Sequence, residues 1–261
     1  MTATWVTLEE APLTRESLAA LLENRIPAIR IRGFADGAEC AAFARAARAG
    51  PIKYYSVTPP VGYIGMAQYE YRWDRPKADY FHAVAAANHN LGQVTIASFD
   101  PIARLIAQLA AVHAAPVGIG QEPGLGAYYA GIIRLASQGI KLHADFAPLN
   151  SPAYSIGRID AQLAWNFFAE DLSDGGATIV HNAPWSPEVK PGQIPQSYDL
   201  PRAAVAGATT FTYAPTAGDV VIFNSRNPHE VMGGPADQGR DRIGIGSFIG
   251  RMPDQSLVMW A

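Results

Sequence analysis

His143-Ala144-Asp145 is answered far downstream by Asn227-Pro228-His229, and then by Arg242 at the head of the apolar run Ile243-Gly244-Ile245-Gly246-Ser247-Phe248-Ile249. These three stretches decide how the chain is read. On an extended strand, side chains two residues apart leave the same face, so the His143 imidazole and the Asp145 carboxylate point together. A third group must then arrive from a distant strand. Gly218-Asp219 turns the chain into Val220-Val221-Ile222-Phe223-Asn224, which has the length of a buried strand and delivers His229 just past its end. Gly233-Gly234-Pro235 marks the next turn, ahead of the strand candidate that Arg242 opens.

Two imidazoles and one carboxylate make up the 2-His-1-carboxylate ligand set, which leaves open positions on a non-haem Fe(II) ion. A His-x-Asp tripeptide alone arises by chance, and a histidine is more often a hydrogen-bonded or surface residue than a ligand. The joint pattern of His143, Asp145, His229, the intervening turn and Arg242 carries the reading. Arg242 presents a planar guanidinium suited to gripping a carboxylate through paired hydrogen bonds. Arg240, two residues earlier, is the competing anchor.

The pattern of His-x-Asp, a distal His and an Arg opening the next strand resembles the Fe(II)/2-oxoglutarate-dependent dioxygenase superfamily. The resemblance extends from about Pro27 onward. Leu135 to Asp145, with Arg134 before it, is similar to the lead-in of prolyl-hydroxylase-like members. Gly175-Gly176-Ala177-Thr178 resembles their Gly-Gly-x-Thr strand opening, and Ala214 to Phe223 resembles their approach to the distal His. The usual Tyr close before the first His is missing here, which argues against a protein-prolyl substrate.

The resemblance implies a mainly β fold with flanking helices around a double-stranded β-helix, the jelly-roll or cupin-like core. It implies one oxygenase domain over 1–261, with a helical front over about 1–125 and a jelly-roll core over about 126–252. It further implies His143, Asp145 and His229 as metal ligands, Fe(II) as cofactor, and 2-oxoglutarate and O2 as cosubstrates of a small-molecule substrate. Arg242 would hold the distal carboxylate of 2-oxoglutarate, with Thr178 as a hydroxyl donor beside it. The implied reaction is oxidative decarboxylation to succinate and CO2, coupled to hydroxylation of an unactivated carbon of an amino acid derivative or specialised metabolite. Related halogenases put a small residue in place of the carboxylate so that chloride can bind. Asp145 therefore favours hydroxylation over halogenation, while desaturation, epoxidation and ring closure stay open. Two other classes compete: a 2-oxoglutarate-independent cupin-like metal dioxygenase and a non-catalytic binding protein on the same scaffold.

The front of the chain reads as helices around a strand. Asp36-Gly37-Ala38-Glu39 has capping-box spacing, and Gly50-Pro51 stops the helix that follows it. Pro27 to Phe34 alternates like a strand. Asp100-Pro101 opens a second helix with an apolar stripe through Ile102, Leu105, Ile106, Leu109 and Val112. Between them lies an aromatic-rich stretch from Tyr54 to Phe81, either a substrate wall or core packing. Tyr69 and Trp73 are its substrate-binding candidates. In the strand candidate Ile159 to Phe168, Gln162 and Asn166 share a polar face, and Asn166 is the third candidate for substrate contact. The Pro-rich loop Asn182 to Ser197 is either part of the site entrance or a rigid surface loop.

Of the remaining histidines, His113 reads as helix-terminal, His181 is a weaker candidate for the site mouth, and His82 and His89 read as exposed. Composition agrees with a globular enzyme: 49% hydrophobic residues supply a sizeable core, and a net charge of -3 without a Lys/Arg stripe argues against nucleic acid. One cysteine, Cys40, excludes an intrachain disulfide and suits a reducing compartment. No apolar stretch is long enough to span a bilayer and no signal-peptide pattern opens the chain, so a cytoplasmic protein without membrane partners is expected.

Overall fold

The computed structural model describes residues 5–56, 61–72, 75–172, 174–190, 192–234 and 242–261. Trp73, Arg240 and Pro235 lie outside the described residues. The front comprises α1 (Arg15–Leu22), β1 (Ala28–Ile31), α2 (Gly37–Ala49), β2 (Lys53–Tyr54), β3 (Gly62–Ile64), a 3-10 turn (Gln68–Tyr71), α3 (Lys77–Ile96) and α4 (Pro101–Val112). Short strands β4 (Val117–Ile119), β5 (Gln121–Glu122) and β6 (Gly126–Ala127) lead to β7 (Ile132–Ala136), β8 (Ile140–His143) and the helical turn α5 (Ala147–Asn150). The back continues with β9 (Ala161–Glu170), β10 (Thr178–His181), β11 (Thr210–Tyr213), β12 (Val220–Asn224), β13 (His229–Val231), β14 (Arg242–Arg251) and β15 (Leu257–Trp260).

The strands form two principal sheets. The larger runs β1-β12-β9-β14-β7-β3-β2, with β15 and β4 joined beside β14, and the smaller runs β11-β10-β13-β8. Within these two sheets, adjacent strands pair antiparallel except for β15 with β4. This is the jelly-roll core expected from the sequence, and its large sheet also takes β1 from the front and β15 from beyond residue 252.

Alternation along β9 shows how the layers are built. Leu163, Trp165 and Phe167 face a core shared with the helices, including Phe43 of α2, Tyr80 of α3 and Leu105 of α4. Ala164 and Phe168 face the other way, into a second core between the sheets with Val180, Phe211, Tyr213 and Phe223. Gln162 and Asn166 therefore belong to the inner face, as the pleat requires. The helix stripes hold to expectation: Asp36 and Glu39 form the reciprocal capping box, and Asp100 caps α4 through Ile102 and Ala103 with Pro101 at its first position.

The sequence pattern did not disclose α3. Its buried positions Tyr80, Phe81, Val84, Ala87, Leu91 and Val94 follow helical spacing. Here the aromatic-rich stretch resolves in part to packing: Tyr80 and Phe81 interlock with Tyr128 and Tyr154 at ring distances of 4.9–6.4 Å. His82 and His89 on α3 are exposed, and Cys40 is buried in the helical core. His113 caps the end of α4. Arg30 of β1 ties the front to the sheet, bonding Glu10 at 2.7 Å and Asp219 at 3.2 Å. Among the described residues, no single helix is long and apolar enough to cross a membrane.

Candidate metal centre

β8 and β13 are neighbours, and their register sets His143 directly opposite His229. The two rings lie 4.1 Å apart between centroids. Asp145 is not part of the ladder: β8 ends at His143, and the Asp145 N–H donates to the Ser225 carbonyl at 2.9 Å, just beyond β12. The strand spacing read from the sequence is thus achieved by a clamp from the next sheet rather than by a continuing strand. Asp145 Oδ2 lies 3.8 Å from His143 Nε2 and 3.7 Å from His229 Nε2. One potential ligand atom from each of the three residues falls within 4.8 Å of the others. Small side-chain adjustments bring atoms so spaced to the ~2.0–2.2 Å of metal–ligand bonds.

The electrostatics suit a cation. His143 Nδ1 is 2.7 Å from the Lys141 carbonyl and His229 Nδ1 is 2.9 Å from the Asn227 carbonyl, so each Nδ1–H donates to backbone and each Nε2 lone pair faces Asp145. Fixing the tautomer this way is how metal-binding histidines are oriented. Burial, aided by the charge of His143, pushes His229 well below the usual imidazole range and keeps it neutral. Burial pushes the Asp145 carboxyl up, while His143, Arg134 and Arg72 pull it down. A part-buried carboxylate facing two imidazole Nε2 atoms is a donor set that a divalent ion completes. The donor set therefore fits Fe(II).

Behind His229 runs a polar chain from the front of the protein. Asn24 ends α1 in a left-handed conformation (φ 56°), its N–H bonding Leu21 O while Arg25 N–H bonds Ala20 O, a Schellman closure. Its side-chain oxygen accepts from Asn227 Nδ2 at 2.7 Å and from Trp5 Nε1 at 3.3 Å. Its amide donates to Asn182 at 3.0 Å.

Arg242 lies on the inner face of β14, where its Nη1 donates to the Gly176 carbonyl at 3.0 Å. Gly175 and Gly176 both take positive φ (84° and 74°), and a Cβ on Gly175 would stand 2.5 Å from Gly234 Cα. The Gly-Gly pair is thus required by conformation and by close approach. Burial lowers the Arg242 pKa, with Tyr213 opposing the shift and Arg134 reinforcing it. Thr178 is cross-strand from Tyr213, and burial raises the Tyr213 phenol against hydrogen bonding from Thr178 and Asn166 and the charges of Arg242 and Arg30. Asn166 thus stands at the Arg242 end beside Thr178.

Tyr69 sits on the 3-10 turn beneath Arg72, whose guanidinium covers its ring and bonds its carbonyl. Tyr198, from the Pro-rich segment, bridges His143 through the backbone, and its ring lies 5.0 Å from the imidazole. Ser197 O accepts from Ala144 N–H at 2.9 Å, and Trp185 packs with Ala144 and Phe146. The Pro-rich loop thus lies against the triad. His181 instead pairs with Glu230 at 3.0 Å. Sequence reading missed Tyr198, Tyr213 and Asn24. Of these only Tyr213 had a local signal, alternating with Phe211 in a run of β-branched and aromatic residues.

The family described as the carrier-protein-independent halogenase WelO5 matches residues 2–260. Leucinostatins biosynthesis cluster protein S of Purpureocillium lilacinum is 31% identical over 221 residues, covering 80% of this chain and 89% of that protein. The L-gamma-glutamyl-L-propargylglycine hydroxylase of Streptantibioticus cattleyicolor is 27% identical over 272 residues, covering 99% and 97%. In fold the chain is similar to an N-substituted L-amino acid dioxygenase from Burkholderia ambifaria AMMD solved with α-ketoglutarate, at a TM-score of 0.60 and 16% identity over 95% and 91% of the two chains. Taken with a 2-His-1-carboxylate cluster on a jelly-roll, these matches make the chain a member of the WelO5 halogenase family and an Fe(II)/2-oxoglutarate-dependent oxygenase.

Proposed function

We propose that the protein hydroxylates an unactivated carbon of a small molecule, with His143, Asp145 and His229 holding the iron. The observation that carries this reading is Asp145, a carboxylate within 3.8 Å of both imidazole Nε2 atoms. Bound there, Fe(II) supplies oxygen activation coupled to the oxidative decarboxylation of 2-oxoglutarate. The chain's own residues do the positioning. Lys141 and Asn227 carbonyls hold the two imidazoles in the metal-binding tautomer. Arg242 receives the distal carboxylate of 2-oxoglutarate, and Thr178, with Tyr213 and Asn166 beside it, offers hydroxyl and amide groups at the same end. Tyr198 and Trp185 cover the triad from the Pro-rich loop and limit water at the reacting face. Tyr69, on the 3-10 turn, is the candidate for substrate contact from the front of the chain.

Halogenation, the activity in the family's description, needs a coordination position for chloride that the Asp145 carboxylate fills here. An amino acid derivative is the substrate class favoured by similarity to the L-gamma-glutamyl-L-propargylglycine hydroxylase. The deciding experiment is an anaerobic titration of apoprotein with Fe(II) and then 2-oxoglutarate, read by the visible charge-transfer band of the chelate. The band should form in the wild type and be absent in His143→Ala. Bound iron without a band would move the reading to a 2-oxoglutarate-independent metalloenzyme.

A further inference from the structure

The interior face of the large sheet carries a second guanidinium that neither the metal triad nor the Arg242 pocket uses. Arg134 of β7 stands directly opposite Gly244 of β14 and Tyr63 of β3. Paired residues share a face, so Arg134 lies on the same inner face as Arg242, which is two positions from Gly244 and pairs with Ala136. Diagonal positions of this kind are about 7–8 Å apart. The facing positions of β14, Gly244 and Gly246, carry no side chain.

The position of Arg134 is central to the site. Its charge registers at Asp145 on the metal side, at Arg242 on the cosubstrate side and at Tyr198 on the entrance loop. Among the described residues it forms no ion pair and donates no hydrogen bond. Glu70 of the 3-10 turn also feels Arg134, but Glu70 is exposed, faces Arg75 and Lys53 as well, and pairs with none of them. Asp145 is committed to the triad. A part-buried cation held without an anion on the face that carries Arg242 is a recognition element waiting for its partner.

Charge balance identifies that partner. A divalent ion, Asp145, Arg242 and dianionic 2-oxoglutarate together carry no net charge. On the inner face of the sheet Arg134 is left over, and one further carboxylate would balance it through the paired N–H···O bonds that a planar guanidinium offers. We propose that Arg134 is a specificity-determining residue that binds a carboxylate of the organic substrate, which makes the substrate an amino acid derivative with a free acid group. This deepens the functional reading above and rests on it.

The test separates the two carboxylates that could reach Arg134, the substrate's and the cosubstrate's. Protein loaded with Fe(II) and 2-oxoglutarate without oxygen is offered an equimolar panel of γ-glutamyl and N-acyl L-amino acids, together with the same panel as C-terminal amides. Retained ligands are identified by mass spectrometry, and 2-oxoglutarate affinity is read from the charge-transfer band. The acids should be retained over the amides. Arg134→Met should lower retention by about tenfold or more, and Arg134→Lys should recover part of it. Both variants should keep 2-oxoglutarate affinity within about twofold of wild type, as expected of a group outside the cosubstrate contact. Equal retention of amides, or no ligand retained from either set, overturns the proposal. A matching loss of 2-oxoglutarate affinity in Arg134→Met also overturns it, by giving Arg134 to the cosubstrate. A missing band in the wild type would sink the metal and cosubstrate reading itself, and the proposal with it.

Discussion

Replacing Arg242 with Met should separate cosubstrate binding from folding. The guanidinium has one hydrogen bond to Gly176 O at 3.0 Å, lies 5.8 Å from the Phe168 ring centroid, and has no carboxylate partner among the described residues. Burial already disfavours its charged form. An arriving carboxylate gains two charge-assisted hydrogen bonds of about 1.5–3 kcal/mol each. Set against these are the disturbed Gly176 bond and the ligand's lost hydration. A net loss of about 2–4 kcal/mol in the variant corresponds to roughly 30- to 1000-fold weaker 2-oxoglutarate binding. Met keeps the apolar stem beside Phe168 and removes a buried unpaired cation, so stability should change by no more than about 1 kcal/mol, roughly 2–4 °C in Tm. The anaerobic charge-transfer titration gives the affinity and a thermal melt gives the stability. A dissociation constant within about threefold of wild type, with the fold intact, would refute the assignment of Arg242 as the cosubstrate anchor.

Three further outcomes are expected. Asp145→Ala should weaken Fe(II) binding by more than the ~10–100-fold typical of residues behind the ligands, and abolish hydroxylation; wild-type turnover would remove Asp145 from the metal. Asn24→Gly keeps the left-handed closure of α1 but deletes the amide behind Asn227, so iron affinity should fall about 3- to 10-fold with little change in the melt, as measured by competition with a chelator. Glu39 is held down to about 2 chiefly by its Arg104 hydrogen bonds, against burial. A depressed carboxylate contributes stability above its unfolded pKa and loses it as pH falls through the folded one. The stability gap between wild type and Glu39→Gln should therefore be under about 1 kcal/mol at neutral pH, because the pair is partly exposed, and close between about pH 4.5 and 2 in urea unfolding.

The triad was legible because its chemistry is concentrated in short sequence words. His-x-Asp, the Gly-Asp turn into β12 and Arg242 before an apolar strand each carry a local constraint, and the family resemblance they carry together implied the jelly-roll. Helices α2 and α4 were legible for the same reason, through Asp36 with Glu39 and Asp100 with Pro101. α3 was not, because Pro76 offers no side-chain cap and the Ala-rich middle of the helix weakens its apolar stripe. Tyr198 and Asn24 were invisible since their roles come from tertiary pairing: one lies beside His143 by an isolated bridge, the other reaches Asn227 across 203 positions of sequence. Asn166 was legible as inward-facing, but only Tyr213 of the facing sheet, with Thr178 opposite it, puts it at the Arg242 end.

Membership of a family described by halogenation and the presence of Asp145 pull in different directions, and the proposed hydroxylation rests on the second. A halide needs an open coordination position where a small residue stands. In this chain the position is occupied by a carboxylate whose backbone is clamped on both sides, its N–H donating to Ser225 O at 2.9 Å and its carbonyl accepting from Ser225 Oγ at 3.2 Å. Ser225 follows β12 directly, the strand that also carries Phe223 against His229 at 4.8 Å. The carboxylate and the distal imidazole are thus set by one rigid element of the inner core. Swinging the Asp145 side chain away to admit chloride would leave this backbone clamp in place but strand a carboxylate in a part-buried site, which costs free energy. The Ser225 clamp at Asp145 is therefore what favours the proposed hydroxylation over the halogenation that describes the family.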